Sequence, residues 1–297
     1  MNMSSFFMCC VQMGGSLQGA ELSLNADVTT LAGESTNGSR DGNGTAARFW
    51  QPFGITTDGT NLYVTDSKNH TIRQVVISTQ AAVTTLAGTA GSHGSTDGNG
   101  TAARFRSPYG ITTDGTNLYV TDSYYHLIRQ IVIDNGSVTT LAGTAGDNGS
   151  TNGTGTSASF YSPLGITTDG TNLYVADSSN HLIRQIVIST KAVTTLAGGG
   201  SGYATDGTGT SASFYGPTGL ATDGSNLYVA DRTSSLIRRI VISTGEVTTL
   251  AGRSSGGGSA IDGNGTAARF RVPTGITTDG RVLYVIGKSN HMIRKIE

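Results

Sequence analysis

The chain has little of what many functional classes require. Its two cysteines are adjacent, Cys9 and Cys10, in 297 residues. That spacing excludes a disulfide framework or a cysteine-based zinc site. Charged residues make up 13% of the chain and the net charge is −1. So neutral a balance argues against a nucleic-acid partner, which needs a concentrated basic face. No apolar run approaches the roughly 20 residues a helix needs to cross a bilayer. The short apolar run at 5–13 has no lysine or arginine before it, so it lacks the charged start of a secretion signal. Residues 1–27 are therefore expected to be a disordered tail or the remnant of a secretion or lipoprotein signal. The latter puts a lipid on Cys9 or Cys10 if the true start lies upstream, and the protein in a secreted, periplasmic or cell-surface location.

There are only five prolines, and they are periodic: Pro52, Pro108, Pro163, Pro217 and Pro273. Each opens a Pro-x-Gly unit. An Asp-Gly-x-x-Leu-Tyr-Val segment recurs from Asp58, Asp114, Asp169, Asp223 and Asp279, and Val-Thr-Thr-Leu-Ala-Gly recurs from Val28, Val83, Val138, Val193 and Val247. The unit 108–143 shows what each copy encodes. Short runs rich in Val, Ile, Thr and Tyr at 110–113, 118–121, 127–133 and 138–143 read as strands. Asp114-Gly115 and Asn135-Gly136 are hairpin turns, because glycine accepts the positive φ that such turns need. One four-stranded unit per 54–56 residues predicts an all-β fold, a β-propeller.

The phase of the repeat sets the blade count. A lone fourth strand at 28–33 precedes the first full unit, and the last unit, 273–297, stops after three strands. Pairing these two predicts five four-stranded blades (52–88, 108–143, 163–198, 217–252, and 273–297 with 28–33) in one domain, 28–297. Such a closed ring leaves no inner edge to aggregate, and a monomer is expected.

The string Pro-x-Gly-Ile followed by Leu-Tyr-Val-Ala-Asp-Ser-x-Asn-His-x-Ile-Arg, clearest at 163–184, resembles the NHL-repeat family of β-propellers. The resemblance covers the chain after about residue 27. It implies a binding platform for proteins, RNA or other ligands. Some relatives are lyases or hydrolases with metal in the central channel. Propellers of that family commonly have six blades; the phase here gives five.

Residues identical in every unit face equivalent neighbours and most simply serve the fold. Phe49, Phe105, Phe160, Phe214 and Phe270 close the long Gly-rich loops and are expected to plug the gaps between blades. Asp-Gly-Asn-Gly-Thr at Asp41, Asp97 and Asp262 alternates oxygens as calcium loops do, but offers one carboxylate per loop, so turn chemistry is the expectation. His70, His126, His181 and His291 precede the third strand. They are candidate zinc ligands only if several converge; otherwise each packs across a neighbouring loop. Asp66, Asp122, Asp177 and Asp231 stand seven residues before an arginine and are expected to pair with it or cap the next turn. The fifth unit has Gly287 instead, so Arg294 must find another acceptor or face solvent. No cofactor is required by this reading.

What varies between units is aromatic or cationic: Trp50, Phe53, Lys68, Arg106, Tyr109, Tyr124, Tyr125, Tyr161 and Tyr215. These sit in loops before strand one and after strand two, which emerge on one face of a propeller. Tyr, Trp and Arg match the composition of binding hot spots, and exposed aromatics also stack on sugar rings. The leading expectation is a non-enzymatic platform for a protein or glycan. The alternatives are a channel-sited metal-dependent lyase or lactone hydrolase, and a structural repeat of a cell-surface assembly.

Overall fold

A computed structural model describes residues 29–77, 80–200, 202–254, 260–289 and 291–297. The expected tail or signal at 1–27, with Cys9 and Cys10, lies outside the described residues. The fold is all-β, a propeller of five blades, with only short 3-10 turns besides strands among the described residues. Blade one runs Pro52–Thr57, Asn61–Asp66, Thr71–Val76, Ala82–Ala87, each strand antiparallel to the last. Blades two to four repeat this from Pro108, Pro163 and Pro217.

The hairpin chemistry explains why the units fold locally. Asp114 Oδ1 accepts the amide hydrogens of Thr116 and Asn117 at 2.8 and 2.6 Å, and Oδ2 accepts the Tyr119 hydroxyl at 2.7 Å. Burial works against this carboxylate, but bonds from Asn117, Tyr119 and Thr116 outweigh it and hold its pKa below the ordinary value. Burial and the Asp114 bond in turn push the Tyr119 hydroxyl well up.

Two details were not expected. The entering loop contributes a two-residue strand to the outer edge of four blades. Gly42 pairs with Val83, Gly98 with Val138, Gly153 with Val193 and Gly207 with Val247. Those blades therefore have five strands rather than four. The outermost edge is thereby kept very short, one way that proteins blunt edge pairing.

The second concerns closure. Among the described residues the last sheet has three strands, Pro273–Thr278, Leu283–Gly287 and Met292–Ile296. The expected pairing of 28–33 with it is not formed by 29–33, and Val28 lies outside the described residues. The seams differ as well. At each seam between consecutive blades, the glycine of Pro-x-Gly receives the next blade's backbone carbonyl: Tyr109 on Gly54, Leu164 on Gly110, Thr218 on Gly165, Thr274 on Gly219. A β-carbon there would land on that carbonyl. The adjacent strand carries Thr65, Thr121, Ala176 or Ala230 beside that glycine. Thr65 even donates its hydroxyl to the Tyr109 carbonyl at 2.8 Å. Blade five has Ile286 at that position, and its side chain lies over Gly275 where a carbonyl would otherwise dock. The counterpart face stays open: Ile55 is 61% exposed, whereas Ile111, Ile166 and Leu220 are 7%, 6% and 8% exposed.

The core is the set of seams. Tyr63, Ile72 and Ala87 of blade one pack with Phe105, Ile111 and Leu118 of blade two in one buried cluster, and the pattern repeats at the next seams. Phe105, Phe160 and Phe214 are wholly buried, as expected for interblade plugs.

Candidate functional site

Four guanidinium groups, Arg73, Arg129, Arg184 and Arg238, have no solvent exposure, and they account for most of the repeated polar residues. Arg73 Nη1 donates to Asp66 Oδ2 at 3.0 Å and to the Arg48 carbonyl at 2.9 Å. Its Nη2 donates to Asp41 Oδ1 at 2.6 Å. The guanidinium carbon stands 5.1 Å from the Phe49 ring centroid, a cation–π contact. Asp41 also accepts from the Thr85 hydroxyl and amide. The Asp-Gly-Asn-Gly-Thr aspartates therefore clamp a buried arginine. Asp66 Oδ1 accepts the Trp50 amide at 2.7 Å, fixing the entering loop against strand two. Burial raises the pKa of these strand-end carboxyls, against the pull of their hydrogen bonds and the arginine; Asp122 is pushed up to about 7. Arg294, whose blade has Gly287 in place of the strand-end aspartate, finds another acceptor, as expected: Asp262 at 2.7 Å and the Arg269 and Ile261 carbonyls.

The histidines sit one to a blade in four of the five blades, Ser235 taking the slot in blade four, in left-handed backbone conformation, φ 62°, 64° and 60° at His70, His126 and His181. Their Nδ1 atoms accept the amide hydrogens of Ser107, Ser162 and Gly216 from the next blade's entering loop, at 3.3, 3.2 and 3.0 Å. Each clasps its neighbour. His291 shares the left-handed conformation, φ 56°. Among the described residues, no three His, Cys, Asp or Glu side chains converge as a metal site would require.

The variable residues share one face. Pro52 pairs with Asp66 in register, and the Lys68 amide donates to the Trp50 carbonyl, so the loops before strand one and after strand two meet at the same end. Within this face the structure brings some residues together and keeps others apart. The Phe53 and Tyr109 rings meet at a 34° tilt with centroids 3.6 Å apart. Arg106 lies over the Tyr124 ring at 3.4 Å, with Tyr125 edge-on to Tyr124 at 5.7 Å. Tyr161 and Tyr215 instead lean edge-on against His126 and His181, at 5.4 and 5.3 Å, and serve the clasps as well as the surface. Trp50, Phe53 and Tyr124 are 42%, 51% and 52% exposed. Lys68 is exposed beside His70, whose pKa is lowered by burial and by His93, Arg106 and Lys68.

One residue escaped the sequence reading. The position after the strand-end aspartate is Ser67, Ser123 and Ser178 in three blades but Arg232 and Lys288 in the last two. Arg232 is exposed and follows the strand-end Asp231, at the same end of its blade as Pro217. The departure from serine in two of the five units was the available signal.

No family model matches the chain. It is 35% identical over 163 residues to NHL repeat-containing protein 2 of Homo sapiens, covering 50% of this chain and 22% of that protein. It is 27% identical over 312 residues to the Gallus gallus protein of the same name, covering 92% of this chain and 42% of that one. The chain thus spans less than half the length of these relatives. Among solved structures it resembles an auxiliary nutrient binding protein from Bacteroides thetaiotaomicron, with a TM-score of 0.65 and 19% identity over 86% of this chain and 61% of that one. It also resembles a chain of a nidogen/laminin complex, with a TM-score of 0.59 and 19% identity over 83% of this chain and 75% of that one. The NHL-type resemblance of the repeats is shared with the curated relatives, and the solved structures share the fold.

Proposed function

We propose that the protein is a non-enzymatic binding platform that captures a protein or glycan on the face bearing Trp50, Phe53, Arg106, Tyr109, Tyr124 and Tyr125. One observation carries this reading. Residues repeated in every blade are consumed in fold contacts, while those that differ between blades form exposed aromatic and cationic clusters on one face. Exposed Tyr, Trp and Arg are the residue types that anchor interfaces.

The neighbours support it. One solved relative in fold is named for nutrient binding, and another is a partner in a nidogen/laminin complex. A nutrient-binding relative is also in line with a secreted, periplasmic or cell-surface location. The test is to screen immobilised protein against glycans and extracellular proteins, then replace Trp50, Tyr109 and Tyr125 together with alanine. Capture should vanish while the melting temperature stays put. Capture that survives all three substitutions would end the platform reading.

A further inference from the structure

At a complete seam the Val-Thr-Thr-Leu-Ala-Gly strand of one blade packs on the next, so that Leu86 and Ala87 of blade one lie with Phe105 and Ile111 of blade two. The described part of the same sequence at 28–33 is seated in the same way on blade one. The Gly33 amide donates to the Gly44 carbonyl at 3.1 Å, as Gly88 donates to Gly100 and Gly143 to Gly155. Ala32 joins Phe49 and Leu62 in packing against Val64 and Val75.

What differs is the neighbour along the strand. In blades one to four this strand is paired with the third: Ile72 stands opposite Ala87, Ile128 opposite Ala142, Ile183 opposite Ala197 and Ile237 opposite Ala251. All four isoleucines are fully buried. Beside Ala32 no such strand stands among the described residues, and Thr29, Thr30, Leu31 and Ala32 make no backbone hydrogen bond there. The groove left at this place, about 420 Å³, is lined by Leu31, Phe49, Phe53, Ile55, Leu62 and Val64, and Leu31 and Ile55 are exposed. An open row of amides and carbonyls along an apolar trough is a template for an added strand. The ladder then gives affinity and the alternate side chains give specificity.

The chain's own Met292–Ile296 strand does not fill this place, since Ile293 is 76% exposed. It also matches the seated strands least: they read Ile-Arg-Gln or Ile-Arg-Arg, where blade five has Ile-Arg-Lys. A second copy brings the same strand. We propose that the groove takes an extended strand donated by another protein. Its pattern is that of Leu127–Val132 and Leu182–Val187, Leu-Ile-Arg-Gln-Ile-Val, which this molecule already sets against the same Val-Thr-Thr-Leu-Ala sequence, with isoleucine seated at Ala32. Phe53 borders both this groove and the platform face, but the proposal does not depend on the platform reading.

A labelled peptide copying residues 179–190, Ser-Asn-His-Leu-Ile-Arg-Gln-Ile-Val-Ile-Ser-Thr, tests it by fluorescence anisotropy on the full chain. The peptide should bind, and its Ile183→Asp form should bind at least about tenfold more weakly, equivalent to about 1.4 kcal/mol. Ile55→Glu in the protein should weaken binding to the same degree with unchanged melting, because that side chain already faces water. Hydrogen exchange should show the amides of 29–32 gaining protection when the peptide is bound. Equal binding of the two peptides overturns the proposal, as does binding that Ile55→Glu leaves unchanged. Absence of binding overturns it too, and two further readings then say what covers the groove. Amides of 29–32 and 292–296 already protected in a monomer mark closure within one chain, and a dimer by light scattering marks a second copy.

Discussion

Arg184 Nη1 donates to Asp177 Oδ2 at 3.0 Å, and neither side chain has any solvent exposure. It differs from its counterparts in one respect. Arg73, Arg129 and Arg238 each have a second carboxylate, Asp41, Asp97 or Asp206, whereas Arg184 has the Asn152 amide oxygen at 2.9 Å.

Removing the sole carboxylate partner of a buried guanidinium leaves an uncompensated charge, which costs about 3–5 kcal/mol. Asp177→Ala should therefore destabilise by that amount, and by more than Asp122→Ala, which leaves Arg129 with Asp97. Urea denaturation midpoints compare the two directly. Equal losses would show that the outer carboxylate contributes nothing.

The seams give a contrast between identical residue types. Ile166→Ala opens a cavity in a packed interface and should cost about 2–4 kcal/mol, while Ile55→Ala, at the open face, should cost under about 1 kcal/mol. Gly165→Ala should be far more damaging than Gly275→Ala. The first drives a β-carbon into the Thr218 backbone, the second meets only the flexible Ile286 side chain. Thermal melts of the four variants check the order.

His70 is a donor's target: its Nδ1 accepts the Ser107 amide, and burial lowers its pKa, with His93, Arg106 and Lys68 acting the same way. A histidine whose folded pKa lies below its unfolded value of about 6.5 favours the neutral form, so its contribution is present above that value and is lost as pH falls through the window beneath it. The stability difference between wild type and His70→Gln should shrink between about pH 7.5 and pH 5. NMR titration should show the His70 pKa rising in Lys68→Ala. A pH-independent difference would refute the clasp.

In blade two, Tyr119→Phe removes a buried donor from Asp114 and should cost about 1–2 kcal/mol. The same change at Tyr284 should be nearly silent, because Asp279 and Tyr284 are open to water. Denaturant titration of both variants decides it.

Much of this architecture was legible because period-two apolar runs and Asp-Gly turns act locally. The phenylalanine plugs, the Asp–Arg pairs and the altered Arg294 all followed from position in the repeat. The edge strands at Gly42–Asn43 and its equivalents did not, since two residues carry no alternation. The open seam was missed for a different reason: packing between the first and last blades is not written in the phase of the repeat. Of the site, Trp50, Phe53, Arg106, Tyr109, Tyr124 and Tyr125 could be picked out as variable positions, but their sorting into two contact clusters could not. Arg232 was overlooked because its slot is serine in three of the units and reads there as a turn residue.

Among the described residues, four near-identical joints and one unmade joint give the wheel a preferred order of disassembly. In a linear array each module is held by its neighbours, so blades one and five, with one complete seam each, should lose amide protection before blade three, which has two. Hydrogen exchange would then rise from the middle of the chain toward both ends, making the propeller behave like a short solenoid bent into an arc.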